Sequence, residues 1–332
     1  MAKLLCIKRT NTDPYYNLAT EEYVLHHFEN DTFMLWRNQP AIIVGKHQNT
    51  LAEINVDYVK EKGIPVVRRL SGGGAVFHDL GNLNFTFTQR GKKEELINFQ
   101  KYTKPIIDIL KDLGIDARFE GRNDITIEGK KFSGNAEHVY RDKVLHHGTL
   151  LFSSEMTDLS AALKVTESKF KDKAVKSVRS RVTNISEHLP DEHKDLSVLD
   201  FKNRVMNHIV NHFPDTELYQ LTEEDDKAIK KLVKDKYQTW DWNFGYSPQY
   251  NFSQTIKTDG GHIEINLDVH DGFIKQAKFY GDYFNSKPTH VIEDLLSGAP
   301  HEYNKIMTKL DEINFNEYFN KVNKQEFVKG MF

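Results

Sequence analysis

Between positions 83 and 88 the chain alternates without a break, with Leu83, Phe85 and Phe87 on one side and Asn84, Thr86 and Thr88 on the other. A period of two is what an extended segment needs to bury a single face, so the pattern predicts a half-buried β-strand. Strand-like and helix-like pieces surround it. Leu4 to Ile7 reads as a strand, and Asp13-Pro14 opens a helix through Phe28, with proline in the first turn and Glu21 and Glu22 further along. Phe33 to Arg37 and Ala41 to Val44 read as two strands parted by the turn composition Asn38-Gln39-Pro40. Val56 to Lys62 reads as a short helix stopped by Gly63 and followed by a strand from Ile64 to Arg68. Leu96 to Leu113 carries Ile106, Ile107, Leu110 and Leu113 at helical spacing, with Gly114 as its stop. Further strands are expected at Ile125 to Ile127 and Val144 to Phe152, and helices at Ser197 to His212 and Glu223 to Tyr237.

An aromatic connection containing Gly and Pro, Trp240 to Pro248, then changes the texture of the chain. Beyond it, Ile263, Ile265, Leu267 and Val269 alternate between the turn pairs Asp259-Gly260 and Asp271-Gly272, and two or three amphipathic helices follow. A chain of 332 residues suggests about two domains. They are expected at 1–245 and 246–332, in an α+β architecture with a large mixed sheet and a small second domain.

Composition narrows the function classes. Lysine and arginine total 45 against 48 acidic residues, a net charge of −3, which argues against a nucleic-acid footprint spread over the whole protein. The apolar run Leu4 to Ile7 is too short for a signal-peptide core, and no stretch approaches the ~20 apolar residues of a membrane span. The single cysteine, Cys6, excludes an intramolecular disulfide and a cysteine-rich metal site and fits a reducing compartment. A cytoplasmic protein with no nucleic-acid or membrane partner is the expectation.

The most unusual segment is Arg68-Arg69-Leu70-Ser71-Gly72-Gly73-Gly74-Ala75-Val76-Phe77-His78-Asp79. Consecutive glycines allow backbone N–H groups to converge on one concavity, and arginine suits bidentate contacts to phosphate or carboxylate. An anion site is one reading; a flexible turn flanked by solvated arginines is the other. No lysine followed by Ser or Thr ends the loop, so it is not a Walker loop, and its glycine spacing fails the dinucleotide fingerprint. Lys131, in Gly129-Lys130-Lys131-Phe132-Ser133-Gly134-Asn135-Ala136, stands either at the head of a small-residue loop facing an anion or at a solvated hairpin tip. Asp124, beside Asn123, offers oxygen ligands of the kind Mg²⁺ takes, or is a plain turn residue. The pairs His26-His27 and His146-His147 are not chelates, because neighbours on a strand point to opposite faces.

Taken in order, these segments resemble the lipoate–protein ligase family. The similarity runs through Arg68 to Asn82, Gly121-Arg122-Asn123-Asp124, Lys131 to Ala136, His146 to Leu151 and Lys176 to Val182. It implies a catalytic domain of the biotin/lipoate ligase type followed by a small accessory domain. It also implies a two-step reaction: lipoate and MgATP give lipoyl-AMP and pyrophosphate, and the acyl group then passes to a lysine of an acceptor protein. The expected acceptors are lipoyl domains of 2-oxoacid dehydrogenase acyltransferase subunits or the glycine-cleavage H protein. By position in the family's motifs, Arg69 and Gly74-Ala75-Val76-Phe77 hold the nucleotide phosphates, and Lys131 bridges the α-phosphate and the lipoyl carbonyl oxygen. Asp124, with Asn123, ligands Mg²⁺. Ser71, Gly73, His78, Ser133, Gly134 and His147 line the acyl and adenylate pocket, with Leu18 and Val76 as apolar tunnel residues. The segment Ser177 to Asn184 either closes over an anion or is an exposed loop.

The nearest rival is an ATP-independent octanoyl or lipoyl transferase of the same fold, which needs a pocket cysteine after the lysine motif. No cysteine follows Cys6. Biotin ligation disagrees with the order of the arginine–glycine loop, and a non-catalytic lipoyl-binding protein has no feature in its favour.

Overall fold

The computed structural model describes residues 3–48, 50–91, 97–155, 182–244, 252–270 and 272–332. Its strands in chain order begin with β1 (Leu4–Ile7), β2 (Asp31–Trp36), β3 (Ala41–Val44), β4 (Val66–Arg68), β5 (Val76–His78), β6 (Asn82–Arg90) and β7 (Ala117–Glu120). They continue with β8 (Asp124–Ile127), β9 (Lys130–Tyr140), β10 (Lys143–Leu151), β11 (Thr216–Tyr219), β12 (Phe252–Thr258), β13 (Gly261–His270) and β14 (Phe273–Gly281). Among the described residues, eight strands form one sheet in the order β11-β1-β2-β6-β10-β9-β8-β7. The pairs β11/β1 and β1/β2 are parallel and the others antiparallel, which makes the sheet mixed. A second sheet, β4-β3-β5, lies beside it.

Both faces of the large sheet are covered. Helices Phe99–Asp112 and Val198–His212 pack Ile106, Leu110, Phe201 and Val205 onto Phe33, Leu35, Phe85 and Phe87. Helix Pro14–His27, capped by Asp13 at 3.0 Å from the Tyr16 amide, covers the opposite face with Leu18, Ala19 and Val24. The strand at 83–88 is therefore not half-buried as its alternation predicts. Asn84, Thr86 and Thr88 are buried as deeply as the phenylalanines because each finds a polar partner under that helix. Thr88 and Thr32 share a 2.5 Å hydrogen bond, and Thr86 donates to Glu21 at 2.6 Å.

Other expectations shift for local reasons. The helix expected from Leu96 starts at Phe99, because the Asn98 side chain caps the Lys101 amide; Leu96 itself is outside the described residues. The strands expected at Phe33 to Arg37 and Ala41 to Val44 are β2 and β3 of two different sheets, so Asn38-Gln39-Pro40 carries the chain from one sheet to the other. Lys131 to Ala136 is no loop. The turn is Glu128-Gly129, both at positive φ, and β9 runs unbroken from Lys130. Part of the aromatic connection, Trp240–Asn243, is a helical turn capped by Thr239.

Residues 252–332 build their own antiparallel sheet, β12-β13-β14. Ile263, Ile265 and Leu267 alternate inward from β13 to meet Phe279, Phe319 and Phe327 in a separate core. Among the described residues no helix is long and apolar enough to cross a membrane.

Candidate functional site

The glycine loop is shaped by strand order. Because β3 lies between β4 and β5, the chain from 69 to 75 crosses the end of β3, directly over Gly45. A side chain at Gly45 would overlap the Gly73 carbonyl, so the crossing requires glycine there. Arg69 frames the loop from beneath. Its Nη2 donates to the carbonyls of Gly72 (2.6 Å) and Gly74 (2.8 Å), its Nε to Ser71 Oγ (3.1 Å) and its Nη1 to Ile43 (3.2 Å). In a trans peptide the N–H opposes the C=O, so the amides of Gly73 and Ala75 point away from the guanidinium. Burial lowers the Arg69 pKa to about 10. Arg69 is thus a template for the loop, with its guanidinium engaged by backbone and Ser71. Arg68 departs further from the expected anion contact: its guanidinium turns away and is spent on backbone carbonyls at positions 45–48 and 242–243.

A cavity of about 350 Å³ opens against this loop, walled by Gly73, Gly74, Ala75, Val76 and His78. Val76 and His78 face it from alternate positions of β5, whereas Phe77 points the other way, into a core with Ile42, Val44 and Val59. Any contribution of Phe77 to a nucleotide comes from its backbone.

Lys131 enters the cavity from β9. The register between β8 and β9 slips at Ile125/Thr126, a bulge that sets Lys131 opposite Thr126, and Thr183 N donates to Lys131 O at 2.9 Å from the other side. Lys131 Nζ lies 2.7 Å from Asp124 Oδ1. Gly134 makes room for the amine, since a Cβ there would sit 3.1 Å from Nζ. Asn123 flanks the pair. Its backbone carbonyl accepts from Asn135 N (2.9 Å) and Nδ2 (3.0 Å), and its own Nδ2 donates to Asn135 O at 2.5 Å. Asn123, Asp124, Lys131 and Gly134 all line the cavity. Ser133 does not; it is buried behind the wall, with its Oγ 3.2 Å from Asn135 Nδ2.

His147, on β10, is fixed from both ring nitrogens. Ser71 Oγ, which accepts from Arg69 Nε, lies 2.6 Å from His147 Nε2, and Glu21 Oε1 lies 2.9 Å from its Nδ1. Ser71 acts on the cavity through His147, which lines the wall while Ser71 lies beneath it. His78 accepts at Nδ1 from Asn38 Nδ2 (3.1 Å), which leaves its proton on Nε2, a buried nitrogen without a protein partner. Burial, then the charges of Arg69 and His147, push its pKa down to about 3, so the ring is a neutral N–H donor in the cavity wall.

Leu18 and Val76 line the apolar side, joined by Trp36 and Ile43. Glu21, Asn84, Arg122, Asn135 and Asp282 escape the sequence reading. Glu21 and Asn84 are hidden because nothing local marks a buried polar face. Arg122 stands inside the quoted Gly121 to Asp124 motif but carries no role there. Asp282 reaches the cavity only by tertiary packing from the end of β14. That packing is close: Gly281 N donates to His47 O at 2.8 Å, His47 stacks on Tyr283 at 4.7 Å, and Arg122 donates to Asp282 O at 3.2 Å. A side chain at Gly72 would overlap the Tyr283 carbonyl. Lys176 to Arg181 lie outside the described residues.

Cys6 is fully buried in β1, and burial pushes its thiol up to about 12. The native protein is expected to resist alkylation by a thiol reagent at pH 8, and the denatured chain to take up one equivalent. Rapid labelling of the native protein would contradict this placement.

Comparison with known proteins meets this geometry. The family model of the lipoyl protein ligase A/B catalytic domain matches residues 13–210, and that of the bacterial lipoate protein ligase C-terminus matches 247–331. The chain belongs to the lipoate–protein ligase family. It is 43% identical over 320 residues to the lipoate-protein ligase LplJ of Bacillus subtilis, covering 95% of this chain and 96% of that one. Among solved structures, P. falciparum LipL1 in complex with lipoate superposes with a TM-score of 0.78 at 25% identity, covering 98% of this chain and 97% of that one. Lipoate-protein ligase A bound with ATP gives 0.63 at 27% identity over 74% of this chain and 99% of that one.

Proposed function

We propose that this cavity joins the carboxylate of lipoate to the α-phosphate of ATP, releasing pyrophosphate, and then passes the lipoyl group from lipoyl-AMP to a lysine of an acceptor protein. The observation that carries the reading is the convergence on one cavity of a lysine ammonium, a glycine loop with amides turned outward, and an apolar wall. Two anions must meet for a carboxylate to attack phosphorus, and fixed cationic and N–H donors remove most of the repulsion. Lys131 is placed to hold the α-phosphate and the acyl oxygen in both half-reactions. Gly73, Gly74 and Ala75 offer main-chain donors to phosphate, and His78 and His147 stand with Leu18 and Val76 along the acyl chain.

Mg²⁺ fits the residues present: the Asp124 carboxylate and the Asn123 amide oxygen are hard donors, and phosphates and waters complete such a shell. Bound there, the ion would neutralise phosphate oxygens. Among the described residues no group of three His, Cys, Asp or Glu side chains forms a protein-only metal cage, which suits an ion that arrives with nucleotide. Asp124→Ala is expected to raise the Mg²⁺ concentration for half-maximal lipoate-dependent ATP–pyrophosphate exchange at least tenfold. An unchanged titration curve removes Asp124 from the metal site.

In the second half-reaction the acceptor amine attacks the lipoyl carbonyl and AMP departs. Acceptors of the expected kind, lipoyl domains or the H protein, are supported by family membership. A cytoplasmic site of action follows from the need for ATP and apo-acceptors. We further take 1–245 as the catalytic unit and 246–332 as an accessory unit, supported by their separate cores. An ATP-independent transferase through a cysteine finds no nucleophile, because Cys6 is buried in β1.

A further inference from the structure

Behind the cavity, and reaching its wall at Asn135, lies a second polar chain that the proposed chemistry does not use. Glu137 on β9 and His146 on β10 are both buried, with Glu137 Oε1 2.9 Å from His146 Nδ1. His146 Nε2 lies 3.3 Å from Asn135 Oδ1. The Asn135 orientation is set independently, because its Nδ2 donates to Asn123 O at 3.0 Å. Its Oδ1 is therefore an acceptor, and His146 Nε2 must carry a proton.

Burial keeps the His146 ring neutral, so with its proton on Nε2 it accepts at Nδ1, and the donor in the 2.9 Å contact is the Glu137 carboxyl itself, whose Oε1 also accepts from Asn98 N at 3.3 Å. Glu137 Oε2 is buried without a hydrogen-bond partner, a tolerable fate for a neutral carbonyl oxygen and a costly one for an ionised carboxylate. The contact is a hydrogen bond between neutral groups rather than an ion pair. Burial raises the Glu137 pKa to about 8 against the weaker opposing pulls of the Asn98 amide and Lys101, and burial pushes His146 well below its usual range. The other groups nearby do not reverse this. Tyr102, from helix Phe99–Asp112, has its phenol pushed up by burial and then by Glu137 and Asp31, and His147 further disfavours charge on His146.

We infer that Glu137 and His146 form a proton-controlled positioning pair, whose neutral form holds Asn135 and through it the Asn123–Asp124 turn at the cavity. Loss of the carboxyl proton leaves an ionised carboxylate facing Nδ1, which draws the imidazole proton from Nε2 to Nδ1. Nε2 then meets Asn135 Oδ1 as acceptor against acceptor, and the restraint on the turn is lost. Gly148 belongs to the same device, since a Cβ there would overlap Asn135 Oδ1.

Long-range ¹⁵N–¹H imidazole spectra of the wild-type protein test the pair without any reliance on the proposed reaction. His146 should show the Nε2–H tautomer at pH 7 and the Nδ1–H tautomer at pH 9.5. The same tautomer at both values, or Nδ1–H at pH 7, overturns the inference. A kinetic arm rests on the proposed function and fails separately from the spectra. Glu137→Gln keeps a neutral donor to Nδ1, so it should retain wild-type exchange at pH 7. From pH 7 to pH 9 the wild type should need about tenfold more Mg²⁺ for half-maximal exchange, as the neutral pair is depleted, with KM for lipoate unmoved. The variant should show no such rise. A folded variant with the wild-type alkaline response overturns the positioning role.

Discussion

Lys131→Ala is expected to lower lipoate-dependent ATP–pyrophosphate exchange by about 10²–10³, the usual effect of removing one donor from a developing oxyanion. The variant should fold as well as the parent, which makes the loss readable as chemistry. Lys131 and Asp124 are 41% and 37% exposed at their side chains, and a pair so open to solvent stabilises a protein by about 0–1 kcal/mol. The thermal midpoint should therefore barely move. Lysine also differs from its neighbours here: Arg68 and Arg69 are tied to backbone carbonyls, whereas the Lys131 amine reaches the cavity with the small Gly134 beside it. Transfer from preformed lipoyl-AMP should fall as well, because the same amine is placed to hold the acyl oxygen in both steps. Exchange at the parental rate in a folded Lys131→Ala protein would remove the lysine from the reaction.

The largest expected effect on stability belongs to Arg68. Its guanidinium, with the residue only 3% exposed, donates to Gly45 O (2.8 Å), Gln48 O (2.7 Å), Trp242 O (2.9 Å) and Thr50 Oγ1 (2.7 Å). The indole of Trp242 returns a hydrogen bond to Arg68 O at 2.9 Å. One side chain thus fastens the segment after β3 and the helical turn Trp240–Asn243 to the end of β4. Arg68→Met fills much of the volume yet strands several buried carbonyls. Each unsatisfied group costs about 1–3 kcal/mol, partly relieved by relaxation, so a loss of about 3–5 kcal/mol is expected in urea unfolding. A loss below about 1 kcal/mol would mean that these carbonyls rehydrate in the variant.

The adjacent arginines illustrate what a sequence conceals. Both stand before a glycine loop, and both look like anion ligands, because residue type states which donors exist and not where they are spent. Only the crossing of the loop over β3, a consequence of strand order, turns Arg69 beneath the loop and Arg68 away from it. Strand alternation misleads in a related way. Asn84, Thr86 and Thr88 read as a solvent face, yet a helix covers them and Asn84 becomes part of the cavity wall. Lys131 to Ala136 read as a loop for its small residues, whereas in β9 the small residues make room for neighbours: Gly134 for the Lys131 amine, Ala136 for the cavity. Helices carry their start and stop chemistry in the local sequence. Asp13 and Ser197 cap the helices that follow them, and Gly63 ends its helix at φ 61°. Asp282 had no such marker, since it meets the cavity from about 150 positions beyond Lys131 through packing alone. The ordered motifs placed Lys131, Asp124, Asn123, His147 and the Gly73–Val76 stretch on one cavity. The side chains of Phe77, Ser71 and Ser133, from the same motifs, lie behind that wall.

The central claim is that ATP drives attachment of lipoate to protein through an adenylate made in this cavity. It is tested most directly by incubating the purified chain with lipoate, an apo-lipoyl domain, Mg²⁺ and ATP labelled in the α-phosphate. The expected result is labelled AMP formed in step with acylation of a single acceptor lysine, with neither product when ATP or lipoate is withheld. Acylation that proceeds from an acyl-carrier protein without ATP, or ATP turnover with no acceptor modified, would contradict it.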